Sequence, residues 1–172
     1  MKIEELLNNK ALKSKEKTKT LGEWLVSKKI KVDDLIAFAK TAKDSPKATC
    51  IEALELATRK NPKLANAAVV DFVTMALADE SQRVKWESAK VIGNIAPLFA
   101  GKMNKAITCL LDNSEHEGTV VRWSAAFALG EIVKTNHASS KKLIPAIENI
   151  AEHEEKNSIK KIYRDALKKV KH

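Results

Sequence analysis

The sequence predicts an all-helical repeat stack, and three observations carry that prediction. The composition favours helix over sheet, because Ala, Leu, Lys, Glu and Ile dominate the 172 residues, with five glycines, four prolines and 5% aromatics. The chain also repeats itself. The segment Val84–Ile95 aligns with Val121–Ile132 at an offset of 37, with Val, a base, Trp, Ala, an aliphatic residue, Gly and Ile at matching places. Finally, the apolar residues keep a helical period: from Val121, the positions i+4, i+7, i+8 and i+11 are Ala125, Ala128, Leu129 and Ile132.

That stripe recurs along the chain. Val84 leads to Ser88, Val91, Ile92 and Ile95. Ile159 leads to Tyr163, Ala166, Leu167 and Val170. Pro46 leads to Cys50, Ala53, Leu54 and Ala57. The four starting points lie 38, 37 and 38 residues apart. Pro46 is compatible with a helix start, since a first-turn proline loses no needed N–H bond, and Ser45 or Asp44 is placed to cap it.

A first helix precedes each of these, over about 33–43, 63–78, 102–111 and 141–152. Asn61-Pro62, Ala100-Gly101, Glu117-Gly118 and Asn136 to Ser140 break the chain between segments. The expected repeats are 33–60, 63–97, 102–135 and 141–171, in one domain over 1–172. A lone helix pair cannot bury its own apolar face, so neighbours must stack. Residues 1–30 read as a capping pair: Ile3, Leu6 and Leu7 in a short helix, a solvated lysine-rich loop over Lys13–Lys19, and a second short helix opened by Thr20 and Glu23 as a capping box.

The net charge of +9 is uneven. Residues 1–43 carry +5, residues 154–172 carry +4, and residues 44–153 are neutral. Basic ends attract anionic partners through a salt-sensitive field, and they also keep the ends of a stack apart. No apolar run is long enough to span a bilayer, and the charged N-terminus lacks a signal-peptide core, so a cytoplasmic protein is expected. Cys50 and Cys109 lie in apolar helical segments and read as small buried hydrophobes. His116, His137, His153 and His172 show no ligand spacing and read as solvated, so neither a metal nor a cofactor is expected. No nucleophile elbow, P-loop, dinucleotide fingerprint or metalloprotease helix is present, so the chain does not read as an enzyme.

The segment Val120-Val121-Arg122-Trp123-Ser124-Ala125-Ala126-Phe127-Ala128-Leu129-Gly130-Glu131-Ile132 resembles the second helix of HEAT repeats, and in particular the subgroup named after phycobilisome lyases. Leu110-Leu111-Asp112 and Ala76-Leu77-Ala78-Asp79 are similar to the turn that ends that family's first helix. The resemblance covers residues 33–170 and is strongest in the two central repeats. It implies a right-handed α-solenoid of four helix pairs plus the N-terminal cap, with the second helices lining a concave surface. It implies little about chemistry, because one fold hosts many functions.

Two columns of the repeat stand out. Lys47, Lys85, Arg122 and Lys160 are basic in all four copies. In HEAT families such a column resembles the base of a ladder to acidic residues in the preceding turn; Asp79 and Glu154 lie six residues before Lys85 and Lys160. The other reading is a basic stripe that meets phosphates or carboxylates. The next column is Ala48, Trp86, Trp123 and Lys161. Trp123 shares a face with Phe127, Gly130 and Lys134, and Trp86 with Lys90 and Gly93. That face either packs against the neighbouring repeat, the glycines admitting a close approach, or offers a recognition strip. A cation–π pair of Lys90 with Trp86 fits both readings.

These features make Lys85, Trp86, Lys90, Arg122, Trp123, Phe127, Lys160 and Lys161 the expected partner-binding residues. The expected function is a non-catalytic protein-binding scaffold, monomeric or weakly dimeric, without membrane attachment. The alternative is a nucleic-acid-binding protein related in architecture to HEAT-like alkylpurine DNA glycosylases. The chain is shorter than those enzymes and shows no catalytic Asp framed by aromatics.

Overall fold

The computed structural model describes residues 2–170; Lys171, the expected end of the last repeat, and His172 lie outside them. The first helices of the pairs are α3 (Val32–Thr41), α5 (Ala67–Ala76), α7 (Asn104–Ser114) and α10 (Ile144–His153). The second helices are α4 (Asp44–Lys60), α6 (Gln82–Phe99), α8 (Thr119–Lys134) and α11 (Asn157–Val170). Before them come α1 (Ile3–Asn8) and α2 (Ser14–Val26), and the one-turn α9 (Ala138–Lys141) links α8 to α10.

Local chemistry sets several of these ends. Asn66 accepts the Val69 amide at 3.1 Å and caps α5, and Ser81 accepts the Val84 amide at 3.4 Å and caps α6. Asp33 and Asp34 sit in the first turn of α3, where the helix dipole favours them. The chain leaves α2 and α8 through Lys28 and Asn136, whose φ of 59° and 56° place them in the left-handed region that stops a helix.

Packing follows the apolar stripes. Each first helix lies against its own second helix, and the second helices form one continuous row, α2–α4–α6–α8–α11. Cys50, Ala53, Leu54 and Ala57 of α4 are buried, as are Val91, Ile92 and Ile95 of α6, Ala128, Leu129 and Ile132 of α8, and Tyr163 and Leu167 of α11. They meet Leu35, Val69, Val73, Leu110 and Ile147 from the first helices in one core. Neighbours on both sides close each interior repeat, which is how a stack buries what a lone pair exposes.

Three local expectations are corrected. Lys13–Lys19 is not a solvated loop: Lys13 is the N-cap residue and 14–19 the first half of α2, because Thr18, Leu21, Gly22 and Leu25 follow helical spacing and are buried. Lysine is itself a good helix former, so its density does not signal a loop. The box that opens this helix lies earlier than Thr20: Glu16 accepts the Lys13 amide at 2.8 Å. Neither Ser45 nor Asp44 caps α4, since both lie inside it and its cap residue Lys43 makes no side-chain cap bond.

Candidate functional site

The row of second helices has one side against the first helices and one open side. Trp123 lies on the open side with 40% of its surface exposed, and Val120 and Leu98 are also exposed. The Trp123 and Phe127 rings stack, their centroids 6.1 Å apart and their planes 9° from parallel. Phe127 is half-buried, because its ring lies over Gly93 of the preceding helix; a Cβ on Gly93 would fall 2.3 Å from Phe127 Cε1. The glycine column therefore serves inter-repeat packing. Gly130 does the same against Ala166 and Ile162 of α11. The aromatic column divides: Phe127 is a wedge between α6 and α8, and Trp123 is a shelf braced by it. Trp86 is half-buried and donates from Nε1 to Glu87 Oε1 at 2.8 Å. Lys90 does not stack on Trp86. It pairs with Glu87 at 2.9 Å, and the cation–π contact in the described residues is Lys29 over Trp24, 4.4 Å from the ring centre.

Ion pairs run along the same row. Glu23 pairs with Lys19, Glu52 with Arg83 at 2.5 Å, Glu55 with Arg59, Glu87 with Lys90, Glu131 with Lys134, and Asp165 with Lys168. Asn94 adds a bond from Nδ2 to the Glu55 carbonyl at 3.2 Å. Six carboxylates of this row are thus each held by a cation of the chain. Lys161 and Lys169, both exposed on α11, have no acidic partner among the described residues.

The basic column has a different geometry from the aromatic one. Lys47 reaches Asp79 of the next repeat at 3.0 Å, and Arg122 reaches Glu154 of the next repeat at 3.1 Å. Arg122 also donates to the carbonyls of His116 and Glu117 at 3.0 and 3.1 Å. Lys85 lies near the Leu77 carbonyl and Asn113 Oδ1, at 3.4 and 3.5 Å. These cations bond in both directions: Lys47, Lys85 and Arg122 reach Asp79, Asn113 and Glu154 of the next repeat, while Lys85 and Arg122 also meet carbonyls in the turn before their own helix. Half-buried Lys160, in the last copy, has no such partner among the described residues. Burial alone would raise the Asp79 and Glu154 carboxyls. The Ser81 amide and Lys47 outweigh it at Asp79, and the Lys156 amide and Arg122 outweigh it at Glu154, so both are held below the usual range.

Two clefts flank these staples. One, of about 380 Å³, is lined by Lys40, Lys47, Phe72, Met75 and Asp79. The other, of about 670 Å³, is lined by Glu115, His116, Arg122, Ile150, His153 and Glu154. They are equivalent sites two repeats apart, since Lys40, Lys47, Met75 and Asp79 map onto Glu115, Arg122, Ile150 and Glu154 at one offset of 75. Between them, at Lys85, Asn113 fills the place by donating from Nδ2 to the Leu77 carbonyl at 3.0 Å. No group of three metal-ligating side chains stands together among the described residues, and no helix there is long and apolar enough to cross a membrane. Cys50 and Cys109 are both free thiols; burial pushes the Cys50 thiol up to about 12.

Sequence spacing brought Trp123 and Phe127 together correctly. It did not reveal Asn113, Val120, Leu98 or the Glu52–Arg83 pair, which depend on contacts between repeats. Glu87–Lys90 and Glu131–Lys134 were legible as i,i+3 pairs.

No protein-family model and no curated protein matches the sequence. Solved structures do match the fold. A designed armadillo repeat protein in complex with the peptide (KR)4 superposes with a TM-score of 0.77 at 17% identity, over 98% of this chain and 80% of that one. Computationally designed armadillo repeat proteins for modular peptide recognition give 0.71 at 17% identity, over 97% and 79%. An engineered protein gives 0.61 at 18% identity, over 98% and 95%. The fold is an all-α, armadillo-like repeat solenoid.

Proposed function

We propose that this chain is a non-catalytic scaffold that holds an extended segment of a partner protein across the open, concave face of its second-helix row. The observation that carries this reading is Trp123, a large apolar ring that the fold leaves exposed while bracing it from beneath with Phe127. A rigid, pre-positioned aromatic gives contact area at low entropic penalty, which is why such residues anchor interfaces. Trp86, Lys90, Phe127 and Lys161 surround it as the remaining contact surface. Lys85, Arg122 and Lys160 lie in the neighbouring stapling column and act through the shape of the groove. The armadillo designs that share the fold bind peptides, which supports the same use here. The Val121–Ile132 signature we read as a HEAT-type variant of this stack, and the working unit as a monomer or weak dimer.

Nucleic acid fits the same face less well. A phosphate backbone carries a charge at every step, but Arg83, Arg59, Lys90 and Lys134 along the row are already engaged by Glu52, Glu55, Glu87 and Glu131, so it finds no continuous track of free cations.

Panning a displayed random-peptide library on the wild type and on Trp86→Ala/Trp123→Ala tests the proposal. Enrichment of a peptide family by the wild type and its loss on the double variant are expected. A library that enriches equally on both proteins would rule out the groove.

A further inference from the structure

We infer that the groove selects an acidic partner segment, with apolar anchors followed by carboxylates placed toward α11. This rests on the peptide-binding reading above and adds the chemistry of the peptide. The first observation is the state of the groove's own charges. Glu23, Glu52, Glu55, Glu87, Glu131 and Asp165 are each engaged by a cation of the chain. A basic peptide would have to displace those cations to find a carboxylate. An acidic peptide meets no such competition, because Lys161 and Lys169 are exposed on α11 without acidic partners among the described residues. Lys169 also lines a cleft of about 150 Å³ together with Phe127, Gly130, Glu131 and Asp165, the two carboxylates being engaged by Lys134 and Lys168.

The second observation is register. Trp86, Trp123 and Lys161 occupy the same position on three consecutive helices, 37 and 38 residues apart. Packed helices lie about 8–10 Å apart, and an extended peptide advances about 3.3 Å per residue, so one helix step corresponds to about two to three residues. A segment crossing the row meets Trp86, then Trp123, then Lys161. The complementary pattern is apolar, apolar, acidic, with each step two to three residues long and the acidic residue continuing onto Lys169. The neutral middle of the groove confines the electrostatic contribution to that end and makes the peptide's direction matter.

The test uses fluorescein-labelled peptides of about twelve residues, long enough to cross four helices, followed by anisotropy at low salt. One carries two leucines three residues apart with two glutamates a further three residues on. A second replaces the glutamates with lysines, and a third places the glutamates on the opposite side of the leucines. The first should bind about tenfold tighter than the second, and detectably tighter than the third. Trp123→Ala should weaken it, and Lys161→Glu/Lys169→Glu should reverse the preference for acidic over basic. All three substituted positions are exposed, and far-UV circular dichroism confirms that the variants fold.

Equal or tighter binding of the lysine peptide, still weakened by Trp123→Ala, overturns the acidic selection and leaves the peptide groove standing. Binding of every peptide that is indifferent to Trp123→Ala, or no binding at all, overturns both. A single-stranded oligonucleotide that displaces the acidic peptide and binds more tightly than it, with the same dependence on Lys161 and Lys169, replaces the peptide with nucleic acid.

Discussion

The ring of Phe127 occupies the space above Gly93 that the side chain of any other residue would need, so that a Cβ there would approach Phe127 Cε1 to 2.3 Å. One glycine on α6 therefore decides where an aromatic on α8 sits, and that aromatic supports Trp123 at 6.1 Å on the groove surface.

Gly93→Ala is expected to destabilise the protein. Alanine gains about 1 kcal/mol of helix propensity, but overpacking at a tight contact opposes it by about 1–3 kcal/mol. The net loss should show as a lower midpoint in urea. The same substitution in a Phe127→Ala background should lose most of its penalty, because the clashing ring is gone. A penalty that stays the same in both backgrounds would place the conflict elsewhere.

Glu154→Gln should lower stability at neutral pH by about 1.5–3 kcal/mol, the worth of a hydrogen bond to a charged group. The carboxyl is held below its usual range in the fold, and the unfolded chain binds the proton more readily. Its contribution is therefore present above about pH 4.3 and fades as pH falls through the folded value. Denaturation midpoints of wild type and variant should converge with acidification. Asp79→Asn should behave alike, since Lys47 and the Ser81 amide hold that carboxyl down as well.

Asn113→Ala should open the middle junction between repeats. The Leu77 carbonyl loses a donor at 3.0 Å, and leaving a buried acceptor unpaired costs about 1–3 kcal/mol. A urea titration measures the loss, and an unchanged midpoint would show that water replaces the amide fully. Serine at the same place should not recover the loss, being too short to reach.

The three tryptophans should differ in quenching by acrylamide. Trp24 is 9% exposed and Trp123 40%, with Trp86 half-buried between them. Trp123→Phe should remove the most accessible component and leave an emission that is bluer and harder to quench. Its stability penalty should stay within about 1 kcal/mol, since the site is exposed and phenylalanine keeps a ring on Phe127. If Trp86→Phe instead removes the accessible component, the shelf lies one repeat earlier.

Much of the repeat was legible because its causes are local. Val84, Val121 and Ile159 open stripes whose spacing matches one helical face, and that face must be buried whatever lies opposite. Over Lys13–Lys19, charge density conceals the stripe of Thr18, Leu21 and Leu25. In sequence, the base column is compatible with both a ladder and a contact stripe. Lys47 and Lys85 look alike in sequence, yet one meets a carboxylate and the other a carbonyl and an amide. The carboxylate and the amide come from the following repeat, about thirty residues away, and the carbonyl from the turn before Lys85.

The spacing of apolar residues along the chain was enough for the four repeating helix pairs, the faces they bury and the period at which they stack. The tertiary structure decided which aromatics are exposed, which way the basic column bonds, and where the clefts open. Those outcomes depend on what the adjacent repeat presents at van der Waals distance. Gly93 beneath Phe127 is one such case and Asn113 against Leu77 another, and in both the partner comes from the neighbouring repeat.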